Sequence, residues 1–598
     1  EYTVVIDGVL DQDGRPLERF EASFTTGDDD SAPVDPLDPT FTVSQQATGV
    51  DVTSLEISPD GAHLYAASFG GTLYRWDIDP ATGNLSNETT FDGLDGNAVI
   101  GIAFDPNSPN DLWLTKNLPV GNQDDFTGEI VRLTLDPQTA AFDGTLTTMV
   151  TGLPRSVSDH LTNSIEFNAA GEMFVVQGGN TASGAADGVW GNRDERLLSA
   201  AVLEVDHTAI AALVDGGAAA YDVTTDVQDF NPGQNGEQGT PADQRNADGS
   251  VTGFYNPFAA DALVTIHATG VRNAYDLAWH SNGHLYVPTN GTGSVGNVPD
   301  DPATGFDEST INSGAPKPDL LFKSSAAGGE YFGHPNATRG EYIAFGGNPT
   351  AGADPQEISA YPVGTQPDEN FTEAAFIFNN GASANGTVEF TSPVFNGALQ
   401  GALLVARFSN GDDIRAFELD ANGGVVGNTA LKDTDGNDIK FANPLDVVTD
   451  DSGRVYVIEF QRGNPGSSSI ELLTPNAPPV ATAEIEIGSL TEVATDDRIV
   501  FSGVDTVEVG SQTADIANQA TITVSNTGTE DLVVSSIGIT GEFALADAGQ
   551  AAGFTVAPGS SVDVTVDFTA TTQAVFEGTL TINSNDADEG TTTIALAG

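Results

Sequence analysis

The chain has no cysteine, five lysines, two methionines and no apolar run long enough to cross a bilayer as a helix. Without cysteine there are no disulfides and no thiolate metal sites. Without a long apolar run, insertion into a membrane as a helix is excluded. Cations are scarce throughout: Lys+Arg is 20 against Asp+Glu 86, a formal net charge of -66. A surface of that sign repels nucleic acid and anionic lipid, so neither is expected as a partner. It suits a protein that stays soluble in salt and attracts divalent cations. No long amphipathic helical stretch stands out. The missing cysteines are compatible with an extracellular or cell-surface location.

What is present points to β-structure. Hydrophobic residues make up 39% of 598 residues, with Gly 67 and Pro 31 dividing them into short runs. A chain of this length holds several domains. From about Phe41 to Pro475 one unit recurs: an apolar strand, an Asp/Asn-Gly turn, a second apolar strand. It reads Leu55-Glu56-Ile57-Ser58-Pro59-Asp60-Gly61 followed by Leu64-Tyr65-Ala66, and Ile165-Glu166-Phe167-Asn168-Ala169-Ala170-Gly171 followed by Phe174-Val175-Val176. It returns at Asp276–Val287, with Ser281-Asn282-Gly283 as the turn, and at Leu445–Val457. A two-strand repeat without intervening helices predicts a β-propeller over 41–475. Two insertions, 181–200 and 222–258, break the period and are expected to cover one face of it.

The ends read differently. Residues 1–27 form two strands around Asp11-Gln12-Asp13-Gly14 and resemble the tail of a bacterial Ig-like domain, whose earlier strands would lie upstream. Residues 28–40 are an acidic, Pro-rich linker, and 476–497 a second linker with one short strand near Ile485. Residues 498–598 alternate with period two, as in a sandwich. The stretches Val524-Ser525-Asn526-Thr527-Gly528 and Gly578-Thr579-Leu580-Thr581-Ile582-Asn583-Ser584-Asn585-Asp586 resemble the ASPM-SPD-2-Hydin type of Ig-like domain. The whole is therefore expected to be all-β: a six-bladed propeller, the blade number coming from the resemblance below, followed by an Ig-like β-sandwich.

Two segments of the propeller resemble the glucose/sorbosone dehydrogenase family, which includes soluble sugar dehydrogenases dependent on pyrroloquinoline quinone (PQQ). They are Asp159-His160-Leu161-Thr162-Asn163-Ser164-Ile165-Glu166-Phe167 and Gly270-Val271-Arg272-Asn273-Ala274-Tyr275-Asp276. The resemblance implies oxidation of an aldose hydroxyl, with His160 as general base. It implies that Arg272 and Asn273 contact the quinone, with Arg407 as a further cation, and that calcium is held by backbone carbonyls near Gly291 and Thr292. Arg155 and Lys116 are weaker candidates for the quinone carboxylates. The chain departs from the family where His160-Leu161-Thr162-Asn163 stands in place of a glycine-rich motif and where Ala274 follows Arg272-Asn273. An alternative from another class is a non-catalytic propeller of a larger surface adhesin, fibre or matrix protein. It would bind glycan or mediate self-assembly alongside further Ig-like domains. A third option, a lactone- or ester-hydrolysing propeller, needs a carboxylate metal cage that the sequence does not single out. Asp433-Thr434-Asp435-Gly436-Asn437-Asp438 has oxygen ligands at alternate positions but not the full calcium-loop spacing. His280 and His284 flank one turn without an evident third ligand.

Overall fold

The turn glycines set the local geometry. Gly61, Gly171, Gly283 and Gly453 take φ of 68°, 79°, 81° and 75°, a region that side chains disfavour. Each glycine N–H donates to the carbonyl three residues earlier, at 2.8 Å in all four cases. That reversal folds the first apolar strand back on the second, giving Leu55 opposite Ala66, Ile165 opposite Val175, Ala278 opposite Tyr286 and Val447 opposite Val457.

The structure is a computed structural model. It describes residues 2–6, 20–24, 39–136, 139–142, 144–188, 190–225, 255–292, 296–303, 317–350, 356–378, 380–461, 468–476, 485–492, 500–501, 506–508, 517–526, 531–558, 560–569, 576–586 and 590–597. The chain divides into two compact units, 1–478 and 479–598.

In the first unit six antiparallel sheets succeed one another. Blade one is Val52–Ile57, His63–Ser68, Leu73–Ile78 and Leu85–Phe91; blade two is Ile102–Asp105, Ser108–Lys116, Gly128–Thr134 and Leu146–Leu153. Blade three is Thr162–Phe167, Met173–Gln177, Ala201–Val205 and Val264–Thr269; blade four is Ala278–Trp279, Leu285–Thr289, Leu320–Ser324 and Phe376–Ile377. Blade five is Ala384–Phe390, Ala402–Arg407, Asp413–Leu419 and Val425–Ala430. Blade six takes Pro444–Thr449, Val455–Glu459 and Ser469–Pro475 from one end of the propeller sequence and Thr40–Thr48 from the other. The first strands touch in ring order, and blade six meets blade one. This is a six-bladed β-propeller.

Closure rests on Thr40–Thr48, which pairs antiparallel with Ser469–Pro475, Phe41 opposite Pro475 and Thr48 opposite Ser469. Phe41 is buried and meets Phe395, which lies between the first two strands of blade five, edge-on with ring centroids 5.3 Å apart, so the closing strand of blade six is pinned against blade five. The sequence reading missed a helix, His207–Asp215, capped by Asp206 between the third and outer strands of blade three. Near the start of the chain, Tyr2–Ile6 pairs with Phe20–Phe24, and the expected turn at 11–14 lies outside the described residues. So do most of the 28–40 linker and residues 226–254 of the second insertion.

The second unit is a sandwich. One sheet orders Ile485–Glu492, Ala517–Asn526, Ser561–Thr569 and Phe543–Leu545; the other contains Thr506–Glu508, Thr591–Ala597, Glu577–Asn583 and Ser536–Ile539. Ile522, Val524, Val564, Val566, Leu580, Ile582 and Ile594 fill the space between them. Residues 485–492, read from sequence as part of a linker, supply an edge strand, because their alternating pattern pairs with Ala517–Asn526.

Truncating the pin weakens the ring. Phe41→Ala is expected to cost about 3–5 kcal/mol, the range for emptying a buried aromatic site. Urea unfolding of the first unit checks this; a loss under about 1 kcal/mol would show that the closing strand is held by backbone pairing alone.

Candidate functional site

All six blades deliver residues to one cavity of about 340 Å³ at the mouth of the propeller. The lining comes from two places in each repeat: the approach to the first strand and the end of the second. Phe69, Phe408 and Phe460 follow the second strands of blades one, five and six and form one wall, with Phe460 lying 6.0 Å from Phe69 and 6.4 Å from Phe408 between centroids. Asn163, Asn273, Asn290 and Asn385 bring four amides from blades three, four and five. Asn163 Nδ2 donates to Asn273 Oδ1 at 2.9 Å, and the buried Asn163 Oδ1 has no partner among the described residues. The Nδ2 groups of Asn273 and Asn385 are likewise unspent there. Among the described residues Asp159 is the one carboxylate on the lining, and no Lys or Arg is on it.

Tyr275 forms the floor. It enters from blade four, and its hydroxyl donates to the Thr53 carbonyl of blade one, across the axis. Below it lies a second cavity of about 290 Å³, lined by the first strands of all six blades. Glu56, Glu166, Asp276, Glu389 and Asp446 face it, with no cation among the lining residues. Three of these carboxylates accept from an N–H of the following blade: Glu56 from Phe104 at 3.3 Å, Asp276 from Thr387 at 2.8 Å and Asp446 from Leu55 at 2.7 Å. Burial raises Glu56 to about 8 and Asp276 to about 6. Asp446 is pushed well up by burial and then by Asp276; Glu166 is pushed well up by burial and then by Glu56 and Asp276. The sequence reading missed these groups. Their signal is an acidic residue in an otherwise apolar first strand, five residues before Gly61 and Gly171 and seven before Gly283 and Gly453.

The residues nominated from sequence separate into three places. Asn273 lines the mouth. His160 and Arg272 lie beside the mouth cavity, beneath Trp190 of the 181–200 insertion, and are not on its lining. His160 is 3% exposed; its Nδ1 donates to the Gly179 carbonyl at 2.8 Å, and its ring centroid is 3.9 Å from that of Trp190. Because a carbonyl only accepts, Nδ1 carries the proton and Nε2 keeps the lone pair. Burial, then the charge of Arg272, holds its pKa well below the ordinary value, so the ring is neutral. Arg272 spends Nε on the Ala182 carbonyl at 3.0 Å and Nη1 on the Gly291 carbonyl at 3.1 Å, with its guanidinium 5.5 Å from the Trp190 ring. Burial lowers it to about 10, against the opposing charges of Asp159 and Asp319. Thr292 Oγ1 donates to the Ala182 carbonyl at 2.8 Å. Arg407 lies in another cavity, in a two-bond pair with Asp413 at 2.7 Å each. Arg155 is buried on the carbonyls of Ser156, Leu118 and Pro119, and Lys116 pairs with Glu129 at 2.9 Å.

The insertion is held rigidly enough to keep Trp190 in place. Glu195 accepts from Asn180 N, Thr181 N and His334 Nε2, each at 2.9 Å. Burial alone would raise this carboxyl, but His334 with the Ser199 and Thr181 hydroxyls holds it below the usual value. Asp187 accepts from Ala182 N and from Trp190 N, both at 3.1 Å. Nothing in the periodicity of 181–200 announces this fold.

These surroundings do not fit the implied cofactors. A quinone bearing three carboxylates meets a mouth that, among the described residues, has one carboxylate and no cation. The Gly291 carbonyl already faces a guanidinium, which repels a dication. Among the described residues no three His, Asp or Glu side chains are grouped to hold a metal ion. The 433–438 loop is an ordinary turn, with Asp433 Oδ1 accepting from Asp435 N at 2.9 Å and Asn437 N at 2.8 Å. His280 is a structural link: Nε2 reaches the Gly401 carbonyl at 2.9 Å and Nδ1 accepts from Asn282 N at 3.0 Å.

The family model for the HYDIN/CFA65/VesB-like Ig-like domain matches residues 501–598. Among solved structures the chain is similar to a glucose dehydrogenase-type oxidoreductase from Thermus thermophilus, at 15% identity over 72% of this chain and 99% of that one, with a TM-score of 0.42. It is also similar to the PQQ-bound aldose sugar dehydrogenase of Streptomyces coelicolor, at 15% identity over 73% and 99%, TM-score 0.41. A search of curated proteins finds no match.

Two outcomes are expected. Carboxylates raised in the folded state stabilise it fully below their unfolded pKa and cease to do so as pH climbs through the folded value. From about pH 4.5, the ordinary glutamate value, to about pH 8 the thermal midpoint should therefore fall, and Glu56→Gln and Glu166→Gln should flatten the fall and stabilise the alkaline end. An unchanged slope in both variants would contradict the assignment. Separately, diethyl pyrocarbonate should modify His160 slowly in the native protein and several-fold faster in Trp190→Ala, as mass spectrometry of the modified peptide would show. Equal rates would mean that Trp190 does not cover the ring.

Proposed function

We propose that the propeller binds a neutral carbohydrate in its mouth cavity as a non-catalytic module. The observation that carries this reading is the lining itself: a row of three phenylalanines facing amides with unspent donors and acceptors, around a single carboxylate. Aromatic rings cover the C–H faces of a sugar, and amides give and take hydrogen bonds with its hydroxyls. Because no cation lines the cavity among the described residues and the chain is strongly acidic, acidic sugars are disfavoured. The alternating modules, a propeller followed by an Ig-like unit, suit a larger extracellular or cell-surface protein in which the Ig-like unit is a spacer.

The dehydrogenase reading keeps one observation in its favour, the neutral His160 with its lone pair on Nε2. In that reading His160 would accept the proton of a sugar hydroxyl, and PQQ would supply the oxidising quinone. Against that reading stand Trp190 over the ring and the lack of cations among the described residues of the mouth.

A neutral-glycan array followed by calorimetry tests the proposal. Binding is expected to weaken by roughly tenfold or more, about 1.4 kcal/mol, in Phe460→Ala and in Asn273→Ala. Addition of PQQ and calcium should produce no sugar-dependent dye reduction. Dye reduction that disappears in His160→Ala would overturn the binding-module reading in favour of the enzyme.

A further inference from the structure

We propose that the groove between blades four and five is a second binding site, for a small carboxylate carried on a flat apolar body. The register of blade five makes the groove. Arg407 is paired with Asp413, and Asp413, Arg415 and Phe417 alternate along Asp413–Leu419, so all point from one face. That face meets Phe376 and Phe378 of blade four, whose ring centroids lie 5.0 and 5.7 Å from Phe417. A cavity of about 200 Å³ opens there, bounded by these rings, Asn428 and the two guanidiniums.

The charges in this groove do not balance. Asp413, 1% exposed at its side chain, serves Arg407 through two bonds of 2.7 Å and Lys440 through one of 2.9 Å. Arg415 is half-buried and spends Nε and Nη2 on Asn428, Nε reaching Oδ1 at 2.9 Å. It has no ion pair among the described residues. The Nη1 groups of both arginines make no hydrogen bond there. Arg407 and Lys440 thus share one carboxylate, and among the described residues Arg415 has none within ion-pair distance, in a chain with Asp+Glu 86 and Lys+Arg 20. Burial lowers the Arg415 pKa by more than the charges of Asp413 and Asp438 restore, and Arg407 lowers it further.

A partly desolvated guanidinium gains most from a planar carboxylate. The three phenyl rings ask for an apolar body behind it. The strongly negative protein disfavours a polyanion, which selects a monocarboxylate over a phosphate ester. The site is independent of the mouth reading and shares no residue with it.

The test titrates the full chain with three probes, followed by protein-observed NMR: benzoate, benzyl alcohol (the body without the charge) and acetate (the charge without the body). Benzoate should saturate with a Kd of about 1 mM or tighter, and both controls should bind at least roughly tenfold more weakly. Arg415→Gln should cost benzoate roughly tenfold, and Arg415→Lys should restore part of that. The Phe376, Phe378 and Phe417 signals should shift with benzoate and, in both variants, show the groove still folded. Failure of benzoate to saturate overturns the proposal. So does acetate or chloride competing as well as benzoate, or benzoate binding unchanged in Arg415→Gln.

Discussion

A single phenol laid across the propeller axis determines how the interior is used. Six sheets converging on one axis leave a tunnel, and Tyr275 spans it from blade four to the Thr53 carbonyl of the opposite blade. Above the phenol the tunnel becomes a shallow mouth, open to a ligand and almost free of charge. Below it the tunnel keeps five carboxylates and no cation. Burial first, and then Asp446 and Asp276 beneath it, push the Tyr275 hydroxyl well above its ordinary value, so it stays a donor. Were the floor missing, the carboxylate field would reach the mouth and set the chemistry there.

The lower half shows how an acidic chain builds a ring without cations at its axis. Glu56, Asp276 and Asp446 each accept from an N–H of the next blade, so the carboxylates act as joints between neighbouring first strands. A joint of this kind is strongest electrostatically when the acceptor is ionised, while burial among like charges favours the proton. Burial raises Glu56, Glu166, Asp276 and Asp446 together, so the proton prevails until pH climbs through their raised values, which couples the ring to pH. The same scarcity of cations makes each arginine informative. Arg155, Arg272 and Arg339 are turned onto backbone carbonyls rather than left on the surface, tying loops together around blades three and four.

The repeat was legible in the sequence because its turn requires glycine at one position, and Gly61, Gly171, Gly283 and Gly453 announce it. The sandwich was legible because period-two alternation survives through Ala517–Asn526 and Ser561–Thr569. The mouth was only half legible. Asn273 was found through its motif, whereas Phe69, Phe408 and Phe460 were not, although each closes an apolar second strand in the same place: Ala67-Ser68-Phe69, Ala406-Arg407-Phe408, Ile458-Glu459-Phe460. Arg407 was assigned to the mouth from the scarcity of cations. Its partner Asp413 sits six residues on, across a hairpin, which sequence distance alone does not distinguish from a free arginine. Trp190 over His160 could not be read at all, since the insertion that carries it has no period and is folded by the buried Glu195.

The central claim is that the mouth is a neutral-sugar site, walled by aromatic rings on one side and amides on the other. The most direct measurement is a crystal structure of the full chain soaked with a neutral oligosaccharide and, in parallel, with PQQ and calcium. The account predicts a sugar ring seated on Phe460 with hydroxyls on Asn273 and Asn385, and no quinone above Tyr275. Quinone in the mouth, with Trp190 displaced from His160, would contradict it.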